Sequence, residues 1–137
     1  MPETKQRVLP MLAYDDAPAA IEFLCKAFGF DVSYRLDGED GQIGHAELDL
    51  DGAQVSLATT WKYGGLASPL DLPAVHTQLY VQVDDVDAHF ERAHAAGATI
   101  ARPPADEDYG ARTYRAIDPE GHRWIFGMPL GDPNATS

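Results

Sequence analysis

The chain has 137 residues, 45% of them hydrophobic, and sets 22 acidic residues against 10 Lys and Arg for a formal net charge of -12. That length supplies one domain with one core. The charge argues against nucleic acid and anionic lipid, whose binding rests on counterion release to clustered Lys and Arg; its ordinary role is solubility. No apolar run approaches membrane-spanning length, the first seven residues lead into a short strand instead of a signal-peptide core, and Cys25 is the only cysteine. A cytoplasmic protein without an internal disulfide is expected, with Cys25 as a structural thiol.

In chain order, Val8 to Tyr14 reads as a strand, and Asp16 caps a helix whose early Pro18 needs no hydrogen-bond partner. Ile21, Leu24, Cys25 and Phe28 form one helical face, and Gly29 stands where a left-handed terminator belongs. Strands are expected at Asp31 to Leu36, Gln42 to Leu50 and Ala53 to Thr60, the last two joined by the hairpin signal Asp51-Gly52. Trp61 to Val75, rich in Gly, Pro and Leu, reads as a linker. Thr77 to Val83 is then a strand, and Asp85 caps a helix carrying Val86, Phe90 and Ala93 that ends at Gly97. Thr99 and Ile100 begin a short strand that Pro103-Pro104 interrupts, and Ala111 to Ile117 pairs with Arg123 to Met128. A disordered tail is expected from Gly131, where Asn134-Ala135-Thr136 matches a glycosylation pattern by chance.

The second half copies the first. Asp118 to Phe126 lies 69 positions beyond Asp49 to Leu57, and at the same offset Tyr14-Asp15-Asp16 meets Val83-Asp84-Asp85. So long a period means two duplicated modules, not a solenoid. The prediction is an α+β domain of two tandem βαβββ modules, with curved mixed sheets around a central cavity. Module one spans about 7–61, the linker about 62–75, module two about 76–129 and the tail 130–137.

Alternation assigns the faces. Ala46, Leu48, Leu50, Val55 and Leu57 point to one side and pack on a helix, while His45, Glu47, Asp49, Gln54 and Ser56 point to the other. In the second module Leu79, Val81 and Val83 alternate with Gln78, Tyr80 and Gln82, and the core residues Trp124 and Phe126 with Ile125. Arg112 is read as alternating inward with Tyr114, where a guanidinium clamps a ligand anion or pairs with Glu47 or Asp118. The expected cavity lining is therefore Leu9, His45, Glu47, Ser56, Gln78, Tyr80, Arg112, Tyr114 and Ile125. Trp61, ending a strand beside Gly64-Gly65, is either a hinge plug or a lid over the cavity. His89 and His94 read as solvated helix surface and His122 as an exposed turn residue.

Ala20 to Phe30, Val83-Asp84-Asp85-Val86-Asp87, Tyr109-Gly110-Ala111-Arg112 and Asp118 to Trp124, set in paired modules, resemble the vicinal oxygen chelate superfamily, in particular its glyoxalase/bleomycin-resistance branch. The resemblance covers nearly all of Val8 to Met128. It implies the fold but not one chemistry, since the superfamily holds lyases, epimerases, dioxygenases, thiol transferases and binding proteins. It also implies a divalent ion held from four positions, which fall here on Leu9, Ser56, Gln78 and Ile125. Leu9 and Ile125 coordinate nothing and Ser56 is a poor neutral ligand, so no metal or other cofactor is expected. The alternative is an altered site from His45 and Glu47 with Gln78 or His76.

Two functions follow. One is a small-molecule binding protein, a homodimer whose partner covers open sheet edges and cavity rims. The other is an enzyme, a lyase, isomerase or dioxygenase-like protein, using an altered metal site or metal-free chemistry. In it His45 or Glu47 abstracts a proton next to a carbonyl while Arg112 or Tyr114 stabilises the oxyanion. A ligand-sensing partner of another protein is a third reading. The chain carries no phosphate-cradling glycine loop, no serine elbow and no Cys-X-X-Cys.

Overall fold

The computed structural model describes residues 6–131. The first module is β1 (Met11–Tyr14), α1 (Ala17–Phe28), β2 (Asp31–Asp37), β3 (Ile43–Leu50) and β4 (Ala53–Thr59). The second is β5 (Leu79–Gln82), α2 (Val86–Ala95), β6 (Thr99–Asp106), β7 (Ala111–Ile117) and β8 (Arg123–Pro129). Two short 3-10 turns, Lys62–Gly64 and Pro69–Asp71, occupy the linker. The sheets have the orders β1-β4-β3-β2 and β5-β8-β7-β6, each with one parallel pair and otherwise antiparallel neighbours. This is the paired βαβββ, α+β architecture. The expected disordered tail lies, beyond Gly131, outside the described residues.

Local chemistry starts and stops the helices. Asp16 accepts from the Ala19 amide at 3.2 Å and Asp85 from the Ala88 amide at 3.0 Å, satisfying donors that a first helical turn leaves open. Gly29, at φ 84°, ends α1 in the left-handed conformation that glycine adopts without penalty. Along α1, Ile21, Leu24 and Phe28 are buried and Cys25 is half-buried. Pro103-Pro104 does not stop β6. That strand lies at the sheet edge and its pairing shifts register between Arg102 and Ala105, so no ladder bond is needed from the prolines.

The parallel pairings show the duplication directly. Met11 stands opposite Ser56 in β1 and β4, and Tyr80 opposite Ile125 in β5 and β8, the same register displaced by 69 residues. The hairpins differ. The ladder pair Asp49–Gln54 encloses four residues, whereas its counterpart Ile117–Arg123 encloses five. In β7 the offset therefore drops by one, so Glu47 corresponds to Arg115 and His45 to Thr113.

Both helix-bearing faces converge on one core. Phe28 of α1 packs against Trp124 and Phe126 of β8, at ring centroid separations of 5.5 and 4.7 Å, and α1 lies on α2. Each end of α1 is then closed by the second module. Glu120 accepts from the Asp15 and Asp16 amides, at 2.7 and 2.8 Å, and from the Ser68 hydroxyl at 2.6 Å. Asp118 accepts from the Tyr14 hydroxyl at 2.6 Å and from Trp124 Nε1 at 3.1 Å. Burial and the neighbouring Asp118 push the Tyr14 phenol well above its usual range, so it stays a donor. At the other end Arg92 donates to the Lys26 and Cys25 carbonyls, both at 3.1 Å. An anion at the helix start and a cation at its end both suit the macrodipole. Where the short Asp51-Gly52 hairpin approaches the start of α2, the same seam holds a cavity of about 270 Å³ between Leu50, Asp51, Asp84 and Asp85.

Two histidines are not the surface residues expected. His122 is half-buried, bonded through Nε2 to the Ala13 carbonyl at 2.9 Å. His89 places Nε2 2.7 Å from the Phe28 carbonyl, which can only accept, so Nε2 carries the proton and Nδ1 accepts from Tyr114. Its position one helical turn before Ala93 turns it inward to meet α1. Burial is the main cause lowering its pKa, with Arg92 adding to it and the bond to Phe28 opposing.

Replacing Glu120 by Ala orphans two amides and a buried hydroxyl at once and is expected to destabilise the fold by about 3 kcal/mol, read by denaturant unfolding. For His89, a depressed folded pKa means the unfolded chain takes the proton first, near an ordinary value of about 6.5. Its contribution is therefore full above that pH and is lost as the pH falls toward the folded pKa. Between pH 7.5 and 5.5 the wild type should lose more thermal stability than His89→Gln; an equal loss refutes the assignment.

Candidate functional site

The face of each sheet turned away from the helices carries the candidate residues. On the first sheet, β3 presents His45 and Glu47 and β4 presents Ser56. His45 Nε2 lies 3.8 Å from Glu47 Oε2, both side chains about one-third exposed, and the Tyr34 ring is 5.9 Å from that of His45. Ser56 opposes Glu47 and is fully buried, its Oγ without a hydrogen-bond partner. Leu9 precedes β1 and is half-buried.

The second sheet presents Tyr80, half exposed, beside Ile125, which is nearly covered. A side chain on Gly127 would collide with the Tyr80 hydroxyl and crowd the Thr113 methyl, so this glycine lets Tyr80 lie flat across β8. Burial and the neighbouring Tyr109 raise the Tyr80 phenol. Gln78 lies at the end of this face, where with His76, Thr77 and Arg123 it lines a cavity of about 310 Å³. Trp61 is exposed, its ring over Gly64 and its backbone bridged to Leu66.

Arg112 and Tyr114 do not belong to this set. Tyr114 is fully buried against Phe126 and bonded to His89, and burial pushes its phenol up. Arg112 pairs with Asp87 of α2 at 3.0 Å and with Asp106 at 2.9 Å, not with Glu47 or Asp118. The extra residue in the 118–122 loop is the cause: a one-residue change reverses the faces of a strand. The open face instead receives Thr113 and Arg115, with Arg102 of β6 opposite Arg115. Arg102 reaches Thr113 Oγ1 at 2.8 Å and pairs with Glu107, which Thr113 also meets at 2.8 Å. Counting the hairpin lengths, Leu50 to Ala53 against Asp118 to His122, was the signal that could have found them.

The four positions that the resemblance assigns to a divalent ion do not fit one. Ile125 and Leu9 offer only hydrocarbon, and Ser56 and Gln78 add two neutral oxygens at most. Among the described residues no three of His, Cys, Asp and Glu gather as a metal site, so the altered His45 and Glu47 set finds no third such partner. No step is assigned to a metal.

Two βαβββ units sharing a helix-side core and leaving two polar sheet faces open define the class. The chain belongs to the Glyoxalase/Bleomycin resistance protein/Dioxygenase superfamily, whose model matches residues 7–126. It is 38% identical over 128 residues to an uncharacterized protein of Mycobacterium bovis, covering 91% of this chain and 84% of that one. The crystal structure of TioX from Micromonospora sp. ML1 is similar at 35% identity and a TM-score of 0.72, covering 96% of this chain and 100% of TioX. A glyoxalase-related enzyme from Fulvimarina pelagi, 20% identical with a TM-score of 0.68 over 98% of each chain, shares the fold. No helix among the described residues is long and apolar enough to cross a membrane.

On the helix-side face of β7 and β8, the core and the rim separate in stability. Trp124→Ala is expected to cost about 3–5 kcal/mol as a large core truncation. Arg112→Ala, which removes only exposed ion pairs, should leave thermal unfolding almost unchanged.

Proposed function

We propose that this protein binds a small molecule without a metal, as a homodimer in which the open face of the first sheet of one chain meets the open face of the second sheet of the other. One observation carries the reading. Ser56 Oγ, Arg102 Nε and Arg115 Nε lie on the faces turned away from the helices, covered by their own chain but without a hydrogen-bond partner in it. Such atoms cost about 1–3 kcal/mol each when left unmet, so a water or a ligand group that enters when the half-exposed side chains above them move aside is stabilised there. Charge supports the pairing at longer range: Glu47 on one face corresponds to Arg115 on the other, and a two-fold axis that opposes the faces across a ligand-filled space sets unlike fields against each other. A cytoplasmic location belongs to the same reading, since Cys25 is the sole, unpaired thiol.

The His45–Glu47 pair favours a second reading, metal-free proton abstraction by one of the two. Its oxyanion donor is neither Arg112 nor Tyr114, which lie on the helix side.

Elemental analysis and sedimentation of protein purified without added metal or affinity-tag nickel test the proposal together. Metal far below one equivalent and a dimer at micromolar concentration are the expected results. One tightly held equivalent of metal overturns the metal-free reading, and a monomer overturns the paired-face arrangement.

A further inference from the structure

We infer that Arg115 and Arg102 form a subsite for an anionic group, a carboxylate or phosphate, of the bound small molecule. This deepens the binding reading and rests on it. In a chain of 22 acidic and 10 basic residues, two arginines stand directly opposite each other on β6 and β7. Like charges in such a cross-strand pair repel, and Glu107, which pairs with Arg102, balances only that one of them. Among the described residues no carboxylate lies within ion-pair distance of Arg115. Its Nε and that of Arg102 are both buried and unpaired. The half-buried Arg115 makes no hydrogen bond or ion pair among the described residues, so one net positive charge remains on this floor.

Guanidinium supplies what this position asks for. It stays charged whatever its surroundings, and its planar fork of N–H donors matches two oxygens of a carboxylate or phosphate. Half-exposed Tyr80, held across Gly127, stands beside Ile125, which in turn pairs with Arg115, so the anion would be flanked by an aromatic wall. The equivalent floor of the first sheet has Glu47 and His45 in place of Arg115 and Thr113, so it offers no anion site. Thr113 keeps Arg102 and Glu107 together through its hydroxyl and leaves Arg115 as the free member.

The test is calorimetric titration of the full chain with phenyl phosphate and with benzoate, the two arms separating phosphate from carboxylate. Saturable binding of at least one is expected, weakened at least tenfold in Arg115→Gln and unchanged in Arg112→Gln, whose guanidinium lies on the helix side. Glu107→Gln, which frees Arg102, should tighten binding several-fold, and it keeps the inference falsifiable if Arg115→Gln does not fold. No saturable binding of either anion, or equal binding by wild type and Arg115→Gln, overturns the subsite. So does an Arg115→Gln protein that becomes monomeric in sedimentation with anion binding intact, because Arg115 then serves the partner's Glu47. Each of those failures leaves the metal-free binding reading standing; that reading falls only to the metal measurement above.

Discussion

Helix α1 is finished by residues that are distant in sequence, and the arrangement of everything else depends on this. A helix leaves amides open at its start and carbonyls open at its end, and burying either without a partner is costly. Here Glu120 supplies acceptors at the start of α1, and Arg92 and His89 supply donors at its end. Among the described residues no arginine or lysine pairs with Asp118 or Glu120; amides and hydroxyls solvate these carboxylates instead. That solution is directional, so it fixes the angle between modules in a way that apolar packing alone would not.

The fixed angle decides which surfaces remain for function. Because Phe28, Trp124 and Phe126 meet in one core, the helix-bearing faces are used up within the chain and the opposite faces are left over. Those faces are not ordinary polar surface. They have floors of covered atoms, Ser56 and Thr113 among them, beneath half-exposed aromatic and aliphatic side chains such as Tyr34, Leu36 and Tyr80. Covered polar atoms under amphipathic rims are the usual make-up of a recognition surface.

Most of the architecture was legible in the sequence because duplication tests each assignment twice. Helix N-caps and the β4 and β8 pairings recur at one offset, with the terminating glycines one residue short of it, and the structure has the caps and pairings where that offset puts them. His45, Glu47, Ser56, Tyr80 and Ile125 were placed on their faces by simple alternation. Alternation failed for β7 because it carries no memory of what happens in a loop: one residue added between two strands reverses every side chain of the earlier strand relative to the later one. Arg112 and Tyr114 were lost to that parity, and Arg102, Arg115 and Thr113 with them. His89 was misread for a different reason. Val86, His89, Phe90 and Ala93 fall at i, i+3, i+4 and i+7, so the helical period does put His89 on the face turned to Tyr114 and Phe126; its polarity hid this, and its bond to the other module's helix is encoded by no local period.

The cavity at the Asp51-Gly52 hairpin is the counterpart of the Glu120 contact, and it makes the two seams mechanically unequal. At one, a five-residue loop plants two carboxylates against the start of a helix; at the other, a hairpin one residue shorter stops short of α2 and leaves about 270 Å³ of space. A load prying the modules apart meets carboxylate hydrogen bonds closed over by the five-residue loop on one side and, on the other, the Arg92 and His89 bonds beside an open cavity. A chain rebuilt from two copies of the first module would have the shorter hairpin at both seams. The single added residue thus sets the stiffness of the whole assembly as well as the chemistry of one sheet.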